Sequence, residues 1–196
     1  MIVTDIQVWA GAWMADEAAL LKAARKLDQK ALAVIFDLYA PAIYRYALRL
    51  CQDPVEADNV VGEVFARLLD QLAGGKGPHT KLRSYLYQIA YHVIVDSSRD
   101  RQQVVPLEMI LNDRDVSFSI SGEIEDRALL EAVMTSIKFD LTADQRHVII
   151  LRFIEGFDPQ EAANILGKSV DNVKVIQTRA IAKLRQVLNQ RLDEEQ

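Results

Sequence analysis

Apolar residues recur at steps of three and four along most of this chain, and no segment alternates apolar and polar with a period of two. That pattern predicts helices and no strands. Leu32, Ile35, Phe36 and Tyr39 form one stripe before Pro41, and Ile43, Ala47 and Leu50 form another after it. Asp53, Pro54 and Glu56 have the types and spacing of an N-cap, a first helical position and a capping-box partner. Val60, Val61, Val64, Phe65, Leu68 and Leu72 follow on one face. "AGGKGPHT" (73–80) breaks that helix, and another is expected from Lys81 to Arg99.

The second half repeats the punctuation. Thr142 and Gln145 have capping-box spacing, as do Asp158 and Glu161 around Pro159, and Gly156 ends the helix before them. From Pro159 a short helix carries Ala163, small enough for a second helix to pass close. Gly167 follows, able to take the positive φ of a tight turn. Ser169 then caps a helix whose stripe is Val173, Ile176, Ala180, Leu184 and Leu188, with Val173 and Ile176 expected to pack on Ala162 and Leu166. This is a helix-turn-helix, the arrangement that lays its second helix in the major groove of DNA. The outward residues of that helix are Asp171, Asn172, Lys174, Val175, Thr178 and Arg179.

Charge sharpens the picture. An ordinary solvated helix mixes signs. Here Lys168, Lys174, Arg179, Lys183, Arg185 and Arg191 stand against the single acid Asp171, in a chain of net charge −5. Lys and Arg neutralise phosphates or reach guanine acceptors, Asn pairs with adenine, and Val meets a thymine methyl. The plainer reading is an amphipathic hairpin with a solvated basic face.

The 196 residues suffice for one medium domain or two small ones. Residues 1–100 hold 11 basic and 12 acidic residues, residues 126–196 hold 10 and 11, and the stretch between holds 2 and 5. That stretch, 101–125, contains Pro106, Gly122 and several Ser without a sustained period, and reads as a linker. The other reading is a buried connecting loop within one domain. One cysteine, Cys51, excludes an internal disulfide framework and fits a reducing cytosol. His79, His92 and His147 lack metal-ligand spacing, so no metal or other cofactor is expected. The apolar N-terminus lacks a basic leader, no stretch approaches the roughly 20 apolar residues of a membrane span, and a cytoplasmic protein is expected. Met14 is a second candidate start, and the residues after Leu188 read as a frayed tail. No phosphate-cradling glycine loop, nucleophile motif or carboxylate pair speaks for an enzyme.

At this point the residues resemble a known family. "LTADQRHVIILRFIEGFDPQEAANILGKSVDNVKVIQTRAIAKLRQVL" (141–188) resembles domain four of bacterial sigma factors. "AVIFDLYAPAIYRYALRLCQDPVEADNVVGEVFARLLDQL" followed by "KLRSYLYQIAYHVIVDSSR" resembles sigma domain two. A chain with these two alone resembles an extracytoplasmic-function (ECF) sigma factor of the sigma-70 family. The resemblance implies an all-α fold of two small helical domains joined by a flexible linker. The divisions are an N-terminal extension (1–18), domain two (19–100), the linker (101–125) and domain four (126–190). It implies core RNA polymerase, promoter DNA and an anti-sigma factor as partners.

Site residues follow by the same match. "EADNVVGEVF" corresponds to the helix that docks on the polymerase, with Asp58, Asn59 and Glu63 outward and Phe65 anchoring it in the core. Asn59 stands where an Asp is usual, and Gly62 where a Gln is usual. The helix from Lys81 corresponds to the part that melts and reads the downstream (−10) element, through Arg83, Tyr85, Tyr87, Tyr91, His92 and Arg99, with Arg101 beyond. Bases stack on such aromatics beside cations. Here Tyr85 replaces a usual Trp and His92 a usual Asn, and Gln88 and Tyr91 occupy positions often basic. The loop 73–80 corresponds to one that captures a flipped-out base. The helix-turn-helix reads the upstream (−35) element, and Lys168 departs from it by standing where an apolar turn residue is usual.

Stretched, the linker reaches about 80 Å, whereas as a coil it averages roughly 25–30 Å. Two elements two helical turns apart are separated by about 70 Å, so a scaffold must hold the linker extended. A rival is a transcriptional regulator binding an operator as a dimer, with the first half as sensor. It predicts tight binding by the isolated protein, which a net charge of −5 opposes. A second rival, a helical scaffold that binds no DNA, leaves the basic helix unexplained.

Overall fold

The computed structural model describes residues 17–100 and 124–194. The chain divides into two compact units with the boundary at Val104. All regular structure among the described residues is helical, as the sequence predicts. Of the stretch expected to be a linker, 101–123 lies outside the described residues, as do most of the N-terminal extension and Arg101.

The first unit contains α1 (Glu17–Ala24), α2 (Gln29–Cys51), α3 (Pro54–Ala73) and α4 (Leu82–Asp100). Asp28 caps α2 by accepting from Ala31 N at 2.9 Å. Asp53 caps α3, accepting from Val55 N and Glu56 N, with Pro54 in the first turn as its missing N–H allows. α2 packs on α1, α3 and α4, and α3 packs on α4. The core is apolar, with Leu21, Ile35, Ile43, Val64, Leu68, Leu82 and Leu86 sealed inside beside the rings of Tyr46 and Tyr87.

Three expectations change here. Pro41 does not separate two stripes: α2 runs through it unbroken. Pro41 and Asp37 are both exposed, so water can serve the carbonyl at position 37 that a proline leaves without its helical donor. Phe36, assigned to the buried stripe, is 47% exposed, its ring tilted against Phe65 with centroids 4.8 Å apart. Finally, α2 is long and apolar enough to pass for a membrane span. It is the central helix of the unit, with Ala31, Val34, Ile35, Ala40, Ile43, Tyr46 and Ala47 facing the core.

The second unit contains α5 (Ile124–Phe139), α6 (Ala143–Ile149), α7 (Pro159–Leu166) and α8 (Val170–Glu194). α6 continues into a π-helical turn, Ile150–Ile154. Both predicted capping boxes form: Thr142 with Gln145, and Asp158 with Glu161. Gly156 and Gly167 take positive φ, 71° and 60°, where the chain turns after the π turn and between the last two helices. α8 packs on α5, α6 and α7. Val148, Ile150, Leu151, Phe157 and Ile165 are buried in this unit, and so are two polar residues, His147 and Ser136.

Candidate nucleic-acid interface

α8 is aimed by its start. The Ser169 hydroxyl accepts from Asn172 N at 3.2 Å, satisfying one of the free donors of the first turn. Val173 and Ala180 are fully buried, with Ala162 and Leu166 of α7 also in the core. That rotation turns Asp171, Asn172, Lys174, Val175, Thr178 and Arg179 outward, all six of them exposed. Val175, 46% exposed, offers methyl groups in the middle of that face. Thr178 has committed its proton to the Lys174 carbonyl at 3.0 Å, leaving its methyl and lone pairs outward.

Two ties fix this helix, and sequence reading finds neither. Arg152, on the π turn, donates through Nε to Gln177 Oε1 at 3.1 Å and through a terminal nitrogen to the Phe157 carbonyl. One guanidinium thus holds α8 and the approach to α7 together. Lys168 meets Asp144 of α6 at 3.0 Å. Lysine at that turn position is therefore a clasp to the neighbouring helix, and one of the six basic residues is already paired.

His147, beside this clasp, has its pKa lowered to about 4. Burial is the main cause; Asp144 opposes it, and Arg146 and Lys168 add to it. The imidazole is neutral at pH 7.

On α4, Tyr85, Tyr91 and Arg83 are partly exposed and His92 is exposed. Burial raises the pKa of the Tyr85 phenol, keeping it a neutral donor. Tyr91 and His92 meet edge to face at 5.4 Å, and His92 Nδ1–H donates to the Gln88 carbonyl at 2.8 Å. Tyr85, Ile89 and His92 face Arg67, Asp70 and Gln71 of α3 across a cleft of about 210 Å³. Tyr87 leaves the set: it is fully buried against Tyr46, ring centroids 5.1 Å apart, so no base can stack on it. It acts instead under Arg83, whose guanidinium lies 5.4 Å from its ring. Arg99 sits on the last turn of α4, and its side chain lies outside the described residues.

On α3, Asp58, Asn59 and Glu63 are exposed on one face, and Phe65 is 9% exposed at the core boundary. Glu63 pairs with Arg67 at 2.6 Å, one turn on. Gly62 precedes Glu63 on the same helix, and a Cβ there would meet nothing within 4 Å, so no packing demands glycine.

Comparison with known proteins agrees with this arrangement. The family description "Sigma-70 region 2" matches residues 35–104, and "Sigma-70, region 4" matches 140–186. The RNA polymerase sigma-E factor of Streptomyces avermitilis is 32% identical over 151 residues, covering 76% of this chain and 80% of that one. The ECF RNA polymerase sigma factor BldN of Streptomyces coelicolor is 27% identical over 175 residues; the match takes in 86% of this chain but 64% of BldN. Among solved structures, CnrH in complex with the cytosolic domain of CnrY has a TM-score of 0.65 at 24% identity, covering 88% of this chain and 96% of that chain. The sigma factor RpoE of Bartonella quintana, solved with the anti-sigma factor NepR, has a TM-score of 0.59 at 20% identity, covering 79% and 94%. These two likenesses establish the fold.

Proposed function

The chain belongs to the extracytoplasmic-function sigma factors of the sigma-70 family, and we propose on that footing that it joins core RNA polymerase and directs promoter-specific initiation. α8 reads the upstream element through Asp171, Asn172, Lys174, Val175, Thr178 and Arg179. α4 opens and reads the downstream element through Arg83, Tyr85, Tyr91 and His92, with Arg99 near its end. α3 docks on the polymerase through Asp58, Asn59 and Glu63, with Phe65 holding that helix to its own core. Residues 19–100 and 126–190 act as the two modules and 101–125 as their tether. The protein is an initiation factor with no catalysis of its own, working in the cytoplasm where the polymerase is. An anti-sigma protein holds it in reserve; the solved complex of RpoE with NepR supports such a partner.

The observation that carries this reading is the outward face of α8. Six side chains of DNA-reading types lie behind a capped, glycine-turned helix-turn-helix. They share a chain with a second helical unit of the same family.

Run-off transcription from genomic fragments tests it, with core polymerase in the presence and absence of this protein. New initiation sites are expected, and an unchanged set of sites would overturn the reading. Lys174→Ala or Arg179→Ala should weaken dependence on the upstream element and leave polymerase binding intact. Each good base contact discriminates by about 1–3 kcal/mol. Glu63→Ala should do the reverse.

A further inference from the structure

The N-terminal residues and the first unit each carry apolar groups that none of the roles above uses. Residues 1–16, which precede the described residues, hold 11 apolar residues and two charges, Asp5 and Asp16. Both tryptophans of the chain, Trp9 and Trp13, are among them. Segments that stay solvated are instead poor in aromatics and rich in charge. A stretch of this composition gains by covering an apolar surface.

The first unit offers one at the edge where α2 meets α3. Phe36 of α2 is 47% exposed and Leu69 of α3 is 42% exposed. Phe65 joins them, since its ring lies against that of Phe36 and it stands one turn before Leu69. Only Gln52 and Asp53 connect the two helices, which therefore run antiparallel. In that register Leu32, one turn before Phe36, comes level with Leu69, and it is half-buried. Four large apolar side chains thus form one ridge, where isolated exposure would need no explanation.

The N-terminal segment starts from a fixed point close to this ridge. α1 begins at Glu17, whose carboxylate accepts from Leu82 N at 3.2 Å, and α1 packs on α2. Burial first and the Glu17 carboxylate second raise the pKa of the Tyr39 phenol, which puts Glu17 near a residue one turn from Phe36. Sixteen residues reach up to roughly 55 Å when extended. A compact unit of this size has a radius of gyration of about 12 Å, so length sets no limit. The ridge is also continuous with the outward face of α3, where Asp58, Asn59, Glu63, Ala66 and Leu69 recur at helical spacing.

We infer that residues 1–16 fold back onto the α2–α3 edge, seating their tryptophans against Phe36 and Leu69, and so mask the helix that docks on the polymerase. Core polymerase must displace the segment, and its apparent affinity falls by the fraction of molecules left uncovered. The masking rests on the sigma reading proposed above, through the docking role of α3.

Tryptophan fluorescence of the full chain tests the cover, because both fluorophores lie in the segment. In the unaltered chain, emission is expected at short wavelength with weak quenching by acrylamide. Phe36→Ser/Leu69→Ser should raise quenching to the level of free tryptophan, and Leu69→Lys alone, at an exposed helical site, should move it the same way. Trp9→Ser/Trp13→Ser should bind core polymerase about tenfold more tightly if nine molecules in ten are covered. Quenching at the free level in the unaltered chain would overturn the cover, as would shielding that survives the loss of Phe36 and Leu69. Shielding that disappears on dilution would also overturn it, by assigning the edge to a second copy. Equal polymerase affinity with and without the tryptophans would overturn the masking and leave the sigma reading standing. Failure of every chain to bind core polymerase would instead remove the sigma reading, and the masking with it, while quenching still decides the cover.

Discussion

The two units position their exposed helices by different physical means. In the first, α2, α3 and α4 are 23, 20 and 19 residues long and lean on each other along apolar faces. In the second, α6 and α7 have only 7 and 8 residues. Isolated helices shorter than about 12–15 residues are marginal in water. Polar ties therefore add to their apolar burial: two capping boxes, the Lys168–Asp144 pair and the Arg152 brace. Apolar burial responds little to pH, whereas titratable and charged groups respond directly. The second unit is therefore the environmentally sensitive half.

Acid gives the largest effect. His147 has a folded pKa of about 4 against an ordinary 6.5, so the unfolded chain takes a proton that the folded unit refuses. Its contribution is complete above pH 6.5, falls as pH drops towards 4, and is gone below. That window of about 2.5 units corresponds to about 3 kcal/mol. Hydrogen exchange resolved by unit, at pH 7 and pH 5, should show the second unit loosening first. His147→Gln should flatten that pH dependence, and a dependence as steep as before would break the comparison.

Arg152→Ala comes next, at about 2 kcal/mol, because it leaves the Phe157 carbonyl and Gln177 without their donor. Thermal unfolding measures the cost, and affinity for the upstream element should fall with it. Arg152→Lys should not restore either, since an ammonium cannot span two acceptors as a planar fork does. A change in the first unit sharpens the contrast. Gly62→Ala should stabilise it by about 1 kcal/mol at every pH, because the site is open and alanine is the better helix former. Lys168→Ala should be the smallest, about 0.5 kcal/mol, since its partner Asp144 is half-exposed. Raising salt should shrink that difference further.

Features set by spacing within one helix or turn could be read from the residues. The boxes at Thr142 and Asp158, the positive φ at Gly167 and the six outward residues of α8 all appear where local types and a 3.6-residue period put them. Aromatics on α4 were less legible. Tyr87 and Tyr91 lie one turn apart on the same side, yet Tyr46 covers the first while the second reaches the surface. Periodicity says which residues share a face. It does not say where along that face a neighbouring helix ends.

The sequence alone determined helical class, two-part organisation and the outward face of α8, because each depends on interactions spanning four residues or fewer or on motif types in order. Only tertiary structure decided which tyrosine is core, why position 168 is lysine, and what Arg152 holds 25 residues away. It alone brought Phe36 and Phe65 to one edge. Such pairings are fixed by how helices pack, and packing is a property of shapes meeting across the fold that no local spacing records.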